Sequence, residues 1–291
     1  MIRVRVAVLS ASLSLVFACM MGQTALRAPG AEVTKLADGF LFTEGPAADS
    51  QGNVVFSDIP NRRIHRWSAE GGLSLLRDDL AATNGLYYAP DGTLVVCEME
   101  GRRVSAIAPD GSVTLLADNY VGRKFNSPND LWVDPKGGVY FTDPYYGDDP
   151  GSLEQGGYHV YYITPEREVL RVLDDMVGPN GVIGTADGAR LYVGDPGAKM
   201  TWVYDIQPDG SLAGKRLFAA EAHDGLTLDE RGNLYVTGEH INVYSPEGEL
   251  LETIEVPEQP ANLTFGGPGG MTLFMTARSG FYSLRMNVRG Q

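Results

Sequence analysis

The chain has 291 residues, 43% of them hydrophobic, with 36 glycines: enough to bury a full core as one large domain or two small ones, and too apolar for a disordered chain. Its net charge of −14 deepens once Arg3, Arg5 and Arg27 are set aside, because the first 30 residues carry no acid. A surface of that sign repels phosphate backbones and anionic headgroups and draws in divalent cations, which argues against nucleic-acid and membrane-surface partners.

Residues 1–30 read as an export signal and a short N-terminal segment. Arg3 and Arg5 precede the mostly apolar run VAVLSASLSLVFACMM at 6–21, the charged and apolar regions of such a signal. No other run is long enough to cross a membrane. Cleavage within 22–31 would deliver a periplasmic or secreted protein. A lipid anchor at Cys19 is the alternative, although Phe17 beside Ala18 fits a lipoprotein signal badly. Cleavage beyond Cys19 leaves Cys97 alone, so packing and not a disulfide must hold the fold.

From Glu44 onward the chain repeats. A polar residue, then a small or apolar one, a strand, a Gly-containing turn and a second strand recur from Glu44, Asn84, Asn129, Asn180, Asp224 and Asn262, at intervals of 38 to 51 residues. The turns are SQGN, PDGT, PKGG, ADGA, ERGN and GPGG. The second strands are VVFSD, LVVCE, VYFTD, LYVGD, LYVTG and LFMTA. Third and fourth strands follow in most repeats, as in RRIHRWS then GLSLLR. Short strands with turn signals at this period, and almost no helical periodicity, predict an all-β fold: a six-bladed β-propeller of four-stranded blades spanning 31–291. The segment AEVTKLAD at 31–38 is expected to supply the outer strand of the last blade and close the ring. The longest interval contains DPYYGDDPGSLEQGGYHV, which reads either as a loop over the channel mouth or as a plain surface loop.

With one shared register, the six heads face a common channel. Asn and Asp at a strand entrance also make simple turns, a reading encouraged by Asn-Gly and open for Asn84 and Asn262. Glu44 does not favour such turns. Two carboxylates and several carboxamides converging on an axis make an oxygen-only site, suited to Ca²⁺ and less to Zn²⁺. Asp58, Glu98, Asp143 and Asp195 recur at strand ends and are expected to make hydrogen bonds within their blades. His65, His159 and His240 read as structural or surface residues. His223 adjoins Asp224, but a neighbouring strand residue points the other way. No serine-hydrolase elbow, zincin helix, phosphate loop or dinucleotide fingerprint occurs.

Glu44-Gly-Pro, Asn126-Ser-Pro-Asn-Asp130 with the following TDPYYG, Pro179-Asn-Gly181, Asp224-Gly-Leu226 and Gln259-Pro-Ala-Asn-Leu263 resemble the gluconolactonase branch of the SMP-30/gluconolactonase/luciferin-regenerating family, from about residue 33 to the C-terminus. The resemblance implies a six-bladed propeller with one divalent metal in the channel, Ca²⁺ first and Mg²⁺, Mn²⁺ or Zn²⁺ as alternatives. It implies Glu44, Asn180 and Asp224 as metal ligands and Asn129 as a substrate contact. The expected activity is hydrolysis of a sugar-acid lactone, with Asp224 the candidate base. A phosphotriesterase on the same site and a non-catalytic calcium-binding propeller are the rivals. Animal members carry Arg where Ser127 stands here; Arg123 and Lys124 are the nearest substitutes in sequence.

Overall fold

A computed structural model describes residues 25–146 and 153–291. The export signal and Cys19 fall on 1–24, outside the described residues, as does 147–152 within the expected mouth loop.

Six four-stranded antiparallel sheets follow one another along the chain. Their innermost strands are Thr43–Ala48, Thr83–Tyr88, Leu131–Val133, Val182–Gly184, Leu226–Leu228 and Pro260–Gly266. Each touches the next around a ring, and the first touches the last. The chain is thus a six-bladed propeller, as the repeat predicts.

The second strands show why it closes radially. In Val54–Asp58, Val54 and Phe56 pack with Phe274 and Phe281 of the sixth blade, while Val55 between them packs with Leu86, Leu94 and Val96 of the second. Successive side chains of a strand point to opposite faces, so a blade with a neighbour on each side needs apolar residues at both parities. Strings such as VVF, LVV and LYV are therefore continuous and not alternating. Cys97, the free cysteine among the described residues, is buried between the second and third blades.

The sixth blade is completed from the far end of the chain. Thr34–Asp38 pairs antiparallel with Gly280–Arg285, with Thr34 opposite Ser283 and Asp38 opposite Gly280. This is the closure expected from AEVTKLAD, and backbone hydrogen bonds make it without a covalent link. The C-terminal tail adds a second tie: Asn287 donates its N–H to the Leu26 carbonyl (2.7 Å). Gln291 Nε2 donates to the Gly184 carbonyl (2.6 Å) of the fourth blade, and its Oε1 accepts from Ala186 N–H (3.0 Å).

Candidate metal centre and active site

The heads of the innermost strands are tied to one another by backbone hydrogen bonds across blades. Gly85 N–H donates to the Asn129 carbonyl (2.7 Å), Gly181 N–H to that of Asp224 (3.1 Å) and Gly225 N–H to that of Ala261 (2.8 Å). Hydroxyls near the ends of the second strands add to this: Ser57 donates to the Asn84 carbonyl (2.8 Å), Thr142 to Asn180 (2.7 Å) and Thr237 to Ala261 (3.1 Å). The approach is close enough that glycine is required. A Cβ on Gly45, at φ 49°, would lie 2.0 Å from the Asn84 carbonyl oxygen, and one on Gly225 would lie 2.2 Å from the Asn262 amide.

This bonding places Glu44, Asn84, Asn129, Asn180 and Asp224 in one register and corrects the sixth member. Asn262 donates its N–H to Thr276 Oγ1 (3.1 Å) and accepts Leu263 N–H on its own Oδ1 (2.8 Å), the same pattern that Asp130 makes with Thr142 and Leu131. Asn262 is therefore the counterpart of Asp130, one residue further along, and Ala261 is the sixth head. The turn of this repeat is longer than the repeat spacing suggested, which shifted the alignment by one.

Behind the ring, the strand-end acids hold the loops that lead into it. Asp58 accepts the N–H groups of Leu41 (3.1 Å) and Phe42 (3.2 Å), Asp143 those of Asn126 and Ser127 (both 2.8 Å), and Asp195 those of Val177 (3.0 Å) and Gly178 (2.8 Å). Glu98 accepts from Ala81 (3.3 Å) and pairs with Arg103 and Ser105. These are the within-blade hydrogen bonds expected of them. His65 is half-buried against Phe40 and Phe56, His159 contacts the Gln155 carbonyl, and His223 is exposed.

Three acids and two amides meet at the mouth. Glu44 is buried and accepts the Gly45 N–H (2.7 Å); burial first and the adjacent Asp224 second push its carboxyl well above the usual range. Asp224, half-buried, is raised to about 7, by burial first; Asp130 raises it further, while Glu44, Asn180 and Arg278 oppose the rise. Asp130 is likewise raised to about 7 by burial and by Glu44, against the N–H groups of Leu131 (2.9 Å) and Val182 (3.3 Å) and the nearby Asn262 amide, which lower it. Taking charge from water costs most when like charges face one another, so this floor holds protons unless a cation replaces them.

Asn180 completes the group. Its Nδ2 donates to the Tyr146 hydroxyl (3.0 Å), while its Oδ1 is buried without a hydrogen-bond partner. A buried amide oxygen left unpaired is what a hard cation would satisfy. Among the described residues no group of three or more His, Cys, Asp or Glu side chains is arranged for a metal. The oxygens that come together here are those of Glu44, Asp224 and the Asn180 amide, donors of the hard type that divalent cations such as Ca²⁺ take. Asn129 is buried one head away, with its backbone engaged by Thr142 (2.9 Å) and Gly85.

The nearby cation is not the one the spacing suggested. Arg123 and Lys124 lie exposed on the hairpin Asn119–Lys124, and the Arg123 guanidinium reaches the Glu154 carbonyl (3.4 Å). Arg278, from the turn after Thr272–Ala277, acts on Asp224 instead; it hydrogen-bonds Gln259 and lies 5.6 Å from the Phe42 ring centroid. Asp130, Arg278 and Tyr146 were not singled out by sequence. For Asp130 the available signal was its place where other repeats carry Gly85, Gly181 and Gly225.

Comparison with known proteins places this geometry among relatives. The SMP-30/gluconolactonase/LRE-like region matches residues 42–279. A gluconolactonase of Zymomonas mobilis is 29% identical over 289 residues, covering 88% of this chain and 81% of its own. Human regucalcin is 26% identical over 252 residues, 81% and 83% of the two chains. The structure of a Xanthomonas campestris gluconolactonase superposes with a TM-score of 0.81 at 31% identity, over 90% of this chain and 91% of that one.

Proposed function

Because the chain belongs to the SMP-30/gluconolactonase/LRE-like family, we propose that it is a divalent-metal-dependent lactonase that opens a sugar-acid lactone to the aldonic acid. The observation that carries this reading is the pair Glu44 and Asp224, buried against each other beside the unpaired Oδ1 of Asn180. When bound there, a dication supplies Lewis acidity toward the lactone carbonyl and cancels the repulsion of the pair. Water adds to the carbonyl carbon, the ring C–O bond breaks, and the product carries a carboxyl and a hydroxyl. Asp224, the more open of the two acids, accepts the proton of the attacking water, and Asn129 holds substrate oxygens. Glu44, Asn180 and, last, the charge of Arg278 hold the Asp224 carboxyl below where burial alone would put it. The N-terminal pattern of Arg3, Arg5 and the apolar run 6–21 supports export, which cell fractionation tests.

A panel of aldonolactones and organophosphate esters, assayed with Ca²⁺ and with a chelator, tests the reading. Ca²⁺-dependent opening of an aldonolactone is expected. Preference for the phosphotriesters would assign the site to another hydrolase. Cation binding with no turnover would make the protein a binding module, the reading that a propeller fold by itself leaves standing.

A further inference from the structure

Resting on the lactonase reading, we infer that Tyr146 is a substrate-binding residue of this site, offering its hydroxyl hydrogen to a lactone oxygen and its exposed ring to one side of the sugar. Tyr146 follows the strand Val139–Asp143 of the third blade, yet its hydroxyl reaches a head of the fourth, accepting Nδ2–H of Asn180 at 3.0 Å. That bond uses the oxygen of the phenol and leaves its hydrogen. The same hydroxyl lies near enough to Glu44 and Asp224 to feel their charge. The ring is 56% exposed, an expensive placement for an aromatic unless something covers it in use. Asn129, on the innermost side of the same blade, is buried at the mouth. The third blade thus supplies Tyr146, from the segment after its second strand, and carries buried Asn129 at the head of its first.

A neutral hydroxyl suits this place. A cationic donor would compete for the floor with the metal, and an acid would add to its repulsion.

Kinetics on an aldonolactone with saturating Ca²⁺, paired with calorimetric titration of Ca²⁺, test the assignment. Tyr146→Phe keeps the ring and removes the hydroxyl; it should lower kcat/KM about tenfold while leaving Ca²⁺ affinity within about twofold of wild type. Tyr146→Leu, which also removes the ring, should raise KM further. Unchanged kinetics in Tyr146→Phe would overturn the assignment and leave the lactonase reading intact. So would a loss of turnover that tracks a loss of Ca²⁺ affinity, because Tyr146 would then act through Asn180. A wild type that opens no aldonolactone would overturn both.

Discussion

Glu44, Asp130 and Asp224 at the heads of the innermost strands and Asp58, Glu98, Asp143 and Asp195 at the ends of the second strands lie at the same end of the ring. Both groups are largely withdrawn from water. The strand-end acids direct their oxygens to backbone N–H groups of adjoining loops. The head acids face one another and two carboxamides. A shifted pKa does not separate the two groups, since Asp143 is raised to about 7 by burial even with two N–H donors. Backbone N–H bonds do not separate them either, since Glu44 accepts from Gly45 (2.7 Å) and Asp130 from Leu131 (2.9 Å) and Val182 (3.3 Å). What separates them is that the head acids also face one another, an arrangement that a cation relieves.

The largest effect should come from the head acids. Asp224→Asn keeps one oxygen and loses charge and basicity, so lactone turnover should fall about 10²-fold or more even at saturating Ca²⁺. Glu44→Gln removes the same charge without touching the proposed base and should be rescued further by excess Ca²⁺. Equal rescue of the two would make Asp224 a ligand only. On the other side of the comparison, Asp143→Ala strands the N–H groups of Asn126 and Ser127. It should cost about 2–4 kcal/mol of stability in denaturant unfolding, roughly one buried unpaired donor twice over. A loss within about 0.5 kcal/mol would erase the distinction between the two groups.

Within the ring, Asn180→Ala should weaken Ca²⁺ binding about tenfold or more, and Asn84→Ala by no more than about twofold. Equal losses, read by calorimetry, would show that the ring supplies the ion without preference. The remaining test is a pH dependence. Asp130 and Asp224 are raised from 3.8 to about 7, so between about pH 4 and pH 7 the folded state binds more protons than the unfolded one. Stability of the chelated protein should therefore fall as pH rises through that window. Ca²⁺ replaces those protons, and the rise in Tm on adding it should be small at pH 5 and larger at pH 7.5. A Ca²⁺ effect that did not grow with pH would remove the head acids from cation binding.

Much of this was legible along the chain because a propeller repeats its local problem. Each blade needs an apolar second strand for both neighbours, a glycine turn behind it and a polar head before it, so the heads as a set stand out by position, and the choice of Glu44, Asn180 and Asp224 among them came from the family resemblance. Glycine after the head was the ambiguous part. Read locally, Asn84-Gly85 is a turn; in the ring, Gly85 is there because Asn129 and Asp130 of the next blade approach it to within 2.7 Å of where a Cβ would stand. The same crowding explains Asp130, whose side chain occupies space that glycine leaves free in its neighbour.

Sequence by itself determined the number of blades and the closing strand, since both follow from periodicity and residue chemistry, while Glu44, Asn180 and Asp224 were picked out as cation ligands by the resemblance of their motifs to the family. Only tertiary structure decided the one-residue offset of Asn262, the choice of Arg278 over Arg123, and the reach of Tyr146 to Asn180. Each of those depends on how far a loop of one blade extends toward another. Contacts between residues 34 or more positions apart are set by packing geometry and leave no period in the chain to read.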